Sequence, residues 1–426
     1  MVPESRSRSA HLVPLVAIQL VGVACGLAGV RWSSAIVPPE VMGTYGLLVA
    51  AHLFGVSVTH QGFIRHVQRY WTAGTPGSSY IKSLFHASLQ PTLWLAGGML
   101  AVFFILRATG GQRLAFGWWG WLIAVNILAV IGHLIHSALQ AEERYWAHFF
   151  LSSFGAAARS FLPLLLAMLS SATVEILGGG FLLQALAWIA AGALFVVRPG
   201  GRRAPGGIES FEHPSALVST FMGVGLFGWL ALSAPRWLAA VALSPEATGY
   251  FILAVNLSMF VPSAVNLIGQ SYSFPPLFAA NRAGAAEAVL VRMTDRTAAS
   301  MLVLGQAGLI ALHWCGPWLV GPIVDPRYGP AMGWLLAAGG ASLAGGTGPI
   351  FCNLLLARNH GSSCLHVTAW SAIFRIGVVA ALAWAGSIDI FRYGLCILAW
   401  PTAALEWWMT RRILRRKAAL PNAGCR

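Results

Sequence analysis

The sequence predicts an all-α, polytopic membrane protein with about twelve transmembrane helices, set in two six-helix pseudo-symmetric bundles around a central cavity. Three observations carry this. Hydrophobic residues make up 57% of the 426 residues and charged ones only 9%. Apolar stretches of ~20 residues recur from His11 to Met409, the length at which a helix crosses the hydrocarbon core with its backbone amides paired internally. The connectors between them are short and hold most of the 27 Lys and Arg, against 13 Asp and Glu.

The first apolar run follows Arg6 and Arg8 and continues to about Val37. It outlasts the roughly 7–15 apolar residues of a cleavable signal, so an uncleaved first span is expected over 11–36. Further spans are expected near 42–63, 84–106, 115–139, 147–170 and 175–197. The second half repeats the count, near 215–243, 247–269, 294–320, 329–356, 364–386 and 389–410. Arg65–Phe85 mixes Tyr70, Trp71 and Tyr80 with basic residues and reads as an interfacial amphipathic stretch. No polar segment is long enough to fold separately. The expected division is an N-terminal bundle over 1–197, a cytoplasmic linker over 198–214, a C-terminal bundle over 215–410 and a basic cytoplasmic tail over 411–426.

Loop charge sets the orientation. With the N-terminus inside, 19 basic residues fall on cytoplasmic segments: Arg6, Arg8, Arg65, Arg69, Lys82, Arg144, Arg198, Arg202, Arg203, Arg282, Arg292, Arg296, Arg358, Arg411, Arg412, Arg415, Arg416, Lys417 and Arg426. Six fall outside: Arg31, Arg107, Arg113, Arg236, Arg327 and Arg392. Both termini are thus expected in the cytoplasm. The net charge of +14 is accounted for by topology and calls for no nucleic acid. Six scattered cysteines form no CxxC pair, so neither a metal site nor a disulfide framework is expected. Nothing in the sequence calls for a cofactor.

The halves echo each other. Arg31-Trp32 leads to Pro39-Glu40-Val41-Met42-Gly43-Thr44-Tyr45, and Arg236-Trp237 leads to Pro245-Glu246-Ala247-Thr248-Gly249-Tyr250. Pro-Glu ends one helix and opens the next, with the carboxylate near the positive end of the new helix dipole. Six spans per half give equivalent helices one direction, the pattern of parallel repeats in secondary transporters.

These residues also carry a resemblance. Ser33 to Tyr70 resembles the opening helix pair of Wzx-type polysaccharide and O-antigen flippases of the multidrug/oligosaccharidyl-lipid/polysaccharide (MOP) exporter superfamily. Ser244 to Pro276 and Leu319 to Ala331 resemble the same proteins. The resemblance implies a non-enzymatic transporter. It would move an undecaprenyl-diphosphate-linked oligosaccharide across the inner membrane by alternating access, for lipopolysaccharide or exopolysaccharide export. Membrane lipids, a polysaccharide polymerase and chain-length proteins would be its other partners.

Ionisable residues within spans are costly and therefore functional candidates. Arg159 and Arg375 lie at similar depth in spans five and eleven, equivalents under the repeat. Arginine grips phosphate oxygens in pairs and stays charged, which suits an anionic headgroup. The same residues suit snorkelling, or bonding to carbonyls at a helix break. Arg31 and Arg236 form a second repeat-related pair at the outer mouth, and Arg65 and Arg282 a candidate inner pair; interfacial anchoring and positive-inside charge explain these as well. His133 and His136 share a helix face and, with Asn126, can line a polar path or relay a proton. Asn256, Asn266 and Gln270 can bond sugar hydroxyls or glue helices together. The acids, Glu406 among them, are placed at span ends or in loops. That weighs against a drug-cation exporter. The alternatives are a lipid II or multidrug exporter of the same superfamily, and a membrane polysaccharide polymerase or ligase.

Overall fold

A computed structural model describes residues 8–60, 62–64, 67, 82–94, 97, 116–141, 144–196, 215–358 and 360–418. Among these residues there is no strand. The interfacial stretch from Arg65, the second half of the third expected span, the 198–214 linker and the end of the tail lie largely or wholly outside them.

The chain divides into two compact units, Met1–Gly225 and Leu226–Arg426. In the first, α1 (Arg8–Ile36) and α2 (Pro39–Gly55) meet at a tight turn, and α2 passes directly into a π-helix over Val56–His60. Then come α3 (Phe116–Ala141), α4 (Tyr145–Leu169), α5 (Val174–Val196) and the start of α6 (Ser215–Ala242). Packing is mainly α1 on α4, α4 on α5 and α3 on α5. Its core joins Phe63, Val67 and Leu84 to Val130, Leu134, Ile135 and Leu151.

The second unit holds the rest of α6, then α7 (Pro245–Ser258), α8 (Phe260–Arg282) and the long α9 (Glu287–Leu319). A 3-10 helix over Pro326–Trp334 leads into α10 (Leu335–Leu343), α11 (Gly348–Ala357), α12 (Gly361–Trp384), α13 (Ile388–Ile397) and α14 (Ala399–Ala418). The residues between α10 and α11 form a turn in mid-span.

Among the described residues nine helical segments are long and apolar enough to cross a bilayer, and α13 with α14, bent by 43°, makes a tenth. Trp314, Trp318, Trp384, Leu194 and Val241 stand fully open on helix surfaces, as side chains facing lipid do. The protein is a multi-pass helical membrane protein. Two span limits differ from the sequence expectation. Helix α8 runs through Pro275-Pro276 to Arg282 instead of ending near 269, because Pro275 and Pro276 do not stop it. Helix α9 begins at Glu287 rather than 294, so Arg292, Asp295 and Arg296 ride on its first turns instead of a loop. Asp295 there pairs with Arg411 of α14.

The sequence repeat has a structural counterpart in each unit. Pro39 and Pro245 both occupy the first turn of a helix, each followed by a first-turn glutamate. The preceding residue differs. Ser244 caps α7 by accepting from the Ala247 amide at 3.2 Å, whereas Pro38 offers no side-chain cap. Each second helix is then interrupted: α2 widens into the π-helix, and α7 breaks at Met259.

Candidate functional site

Each unit carries one polar constellation within its helices. In the first unit the turn between α3 and α4 folds the chain back on itself. His136 and His148 lie six residues either side of Glu142, so an antiparallel hairpin sets them opposite each other. Their Nε2 atoms are 2.9 Å apart and share one hydrogen. One turn along the same face of α3, His133 stacks 5.4 Å from His60 of the π-helix, centroid to centroid. Trp188 of α5 packs against both His133 (5.1 Å) and His136 (6.1 Å). Its indole donates to the Leu151 carbonyl at 3.2 Å. Gly132 and Gly155 make room for that indole; a Cβ at either would press into the ring. Asn126, two turns before His133, donates to Leu122 O at 2.9 Å and lies against Gly55, beside His52 and His60.

Arg159 belongs to the same group. It sits fourteen residues after Tyr145, the start of α4, about 21 Å along the axis at ~1.5 Å per residue. Its side chain is exposed, yet protein surrounds it at longer range, and Tyr45, His52 and His133 all lie within its electrostatic reach. The exposed guanidinium is thus backed by polar groups of two other helices. Among the described residues it makes no ion pair. Helix α1 braces α4 at this level through Gly29 against Ser160 and Trp32 edge-on to Phe161 at 5.4 Å.

In the second unit the repeat partner, Arg375, also sits fourteen residues into its helix, but its fate differs. It is 3% exposed, donates to Ala341 O at 3.0 Å near the α10–α11 break, and lies within electrostatic range of Glu406. Of the two sequence readings of Arg375, bonding to a carbonyl at a helix break describes its surroundings. Glu406 corrects the expectation that every acid sits at a span end or in a loop. It is buried on α14, where Thr347 donates to Oε2 at 2.7 Å and Ser371 to Oε1 at 2.6 Å. The misplacement arose because Arg411 and Arg412 look like a membrane boundary, while α14 carries on to Ala418. Gly348 lets this layer close, since its Cβ would stand 3.1 Å from Oε1. Asn266 packs against Gly346 in the same region.

The remaining candidates are scattered. Asn256 is exposed. Arg236 is half-buried and, among the described residues, its hydrogen bond goes to the Met259 sulfur, at 3.9 Å. Arg31 is exposed beside exposed Trp32. Arg282 and Gln270 lie on α8 with side chains outside the description, and Arg65 is outside it altogether. The polar path expected from sequence held only His133, His136 and Asn126, and included none of His52, His60 and His148. The hairpin symmetry about Glu142 was the available signal for His148. No group of three or more His, Cys, Asp or Glu among the described residues is arranged to hold a metal ion.

The sequence matches no protein-family model and no curated protein. Solved structures do match. One is the inward-facing conformation of a multidrug resistance MATE family transporter of the MOP superfamily, with TM-score 0.62 and 12% identity, covering 97% of this chain and 100% of that one. An outward-facing conformation of such a transporter matches at TM-score 0.65 and 14% identity, over 96% of each chain. A MATE protein in its straight conformation matches at 0.64 and 13%, over 96% of this chain and 95% of that one. Along nearly its whole length, then, the chain has the fold of MATE transporters of the MOP superfamily.

Proposed function

We propose that the protein is an alternating-access transporter that moves an anionic, lipid-linked oligosaccharide, of the undecaprenyl-diphosphate type, across the bacterial inner membrane. The observation that carries this reading is Arg159, a permanent cation at membrane depth, exposed and free of any carboxylate partner among the described residues. An unpaired intramembrane cation is expensive. A diphosphate that binds it relieves that cost through charge-assisted, two-pronged hydrogen bonds. The similarity to structures solved both inward- and outward-facing supports the transport cycle.

A second reading, export of drug cations, rests on Glu406. Both its oxygens are already held by hydroxyls and Arg375 faces it, so it offers a cation little unmet charge. Complementation of a deletion strain separates the two. Arg159→Glu is expected to abolish surface polysaccharide and accumulate lipid-linked repeat units inside, at normal protein level, with drug susceptibility unchanged. Full export by Arg159→Glu removes the residue from the site. Loss of drug resistance in Glu406→Gln with export intact supports the cation reading. Elongated polymer left unligated in the deletion strain supports an enzyme instead.

A further inference from the structure

The first unit has an unusual distribution of titratable residues. It contains nine of the chain's twelve histidines and no aspartate. Its glutamates within the described residues, Glu40 and Glu175, both lie in the first turns of helices. Five of those histidines converge from four segments: His52 on α2, His60 on the π-helix, His133 and His136 on α3, and His148 on α4. We propose that His148, His136, His133, His60 and His52 form a proton path through the first unit, leading from the α3–α4 turn towards the exposed Arg159.

Geometry supports conduction directly at the α3–α4 end, and ring contacts continue the line from there. The His136 and His148 rings already share a hydrogen between Nε2 atoms 2.9 Å apart. Their Nδ1 atoms have no protein partner. A proton arriving on Nδ1 of one ring makes an imidazolium. That ring passes its Nε2 proton across the short bond, and the second ring releases a proton from its own Nδ1. One proton enters and one leaves, both rings end neutral, and each has exchanged tautomer. The His133–His60 contact continues the line, with both ring nitrogens of His60 unpaired at 1% exposure. His52 adds a further unpaired Nδ1. Buried nitrogens are ordinarily bonded, so groups this deep with nothing from the protein to bond are suited to a transient partner. The step from His133 to His136 passes the Trp188 ring, which carries no exchangeable proton free for relay, so a bridging water must serve there.

The path has useful length. Asn126 to His136 spans ten residues of α3, about 15 Å at ~1.5 Å per residue, or roughly half a ~30 Å hydrocarbon core. Charged and titratable neighbours are few: Arg159 on α4 and Tyr45 on α2 face the outer end, while α5 contributes the uncharged Trp188 and Phe181. The proposal extends the transporter reading by giving it a coupling ion, but its test needs no transported substrate.

The test uses full-length protein in liposomes with a pH dye inside, an acid exterior, and voltage clamped by potassium and valinomycin. The wild type should acidify the lumen at least about threefold faster than protein-free vesicles. His60→Asn and His136→Gln should each return the rate to that blank. His86→Gln, an exposed histidine outside the array, should keep the wild-type rate. A wild-type rate equal to the blank, or array variants as fast as wild type, overturns the proposal. Proton flux with unimpaired polysaccharide export by Arg159→Glu would instead sink the substrate reading and leave the path standing.

Discussion

Glu406 and Arg375 illustrate what a single residue costs inside a membrane. Each is buried, and each is held by neighbours from other helices: Thr347 and Ser371 for the acid, Ala341 O for the base. Removing one charge strands the other, and breaking a buried pair costs up to about 3–5 kcal/mol. Arg375→Leu should therefore lower the apparent Tm in detergent by several degrees. Adding Glu406→Gln should recover much of that loss, because the neutral amide no longer needs the cation. Equal losses in the single and double variants would show that the two charges do not interact. The pairing was not legible beforehand. The partners are 31 positions apart on different helices, and a lone sequence shows only that both are polar. Arg159 and Arg375 were found readily, because any arginine deep in an apolar run stands out. Their different surroundings were not, since exposure and partners depend on helices elsewhere in the chain.

At the scale of elements, the boundaries marked by proline and glutamate were read closely: α2 starts at Pro39 and α7 at Pro245. The interruptions after them were not: Gly55 stands immediately before the π-helix, but a glycine in an apolar run does not by itself signal that one extra residue is inserted into a turn. Val56–His60 points its last residue at His133, and Gly225 of α6 lies so close to the Ser57 backbone that any Cβ would strike it. A π-turn is one residue wider than an α-turn. Deleting Val58 should restore α-helical register and rotate His60 by about 100°, the angle per residue of a 3.6-residue turn. The variant should still reach the membrane but lose its proton flux in the vesicle assay. Undiminished flux would mean that the direction of His60 is immaterial. Gly225→Val, by contrast, should lower the yield of folded protein, since the obstacle is backbone and cannot move aside.

For the whole molecule, hydropathy made the class plain because a bilayer imposes one length and one polarity on every span. Expected spans such as 147–170 and 175–197 coincide with Tyr145–Leu169 and Val174–Phe195 to within two residues. Orientation is a separate matter, governed by the cost of moving lysine and arginine across during insertion. The distribution of 19 basic residues against six is a strong bias, and an even number of spans returns the chain to its starting side. The argument is sharpest at two connectors. That around Thr109 follows the third expected span and carries only Arg107 and Arg113, whereas that around Gly206 joins the halves and carries Arg198, Arg202 and Arg203. Alkaline phosphatase fused at Thr109 should be active and at Gly206 silent, and a cytoplasm-dependent fluorescent reporter should give the reverse. If both fusions report the same side, an even number of crossings lies between them, and one of the three spans expected at 115–139, 147–170 and 175–197 does not cross. The reverse pattern, silent at Thr109 and active at Gly206, would instead discard the third expected span, about half of which lies beyond the described residues, and Arg159 would have to be reassigned relative to the side from which a cytoplasmic headgroup enters.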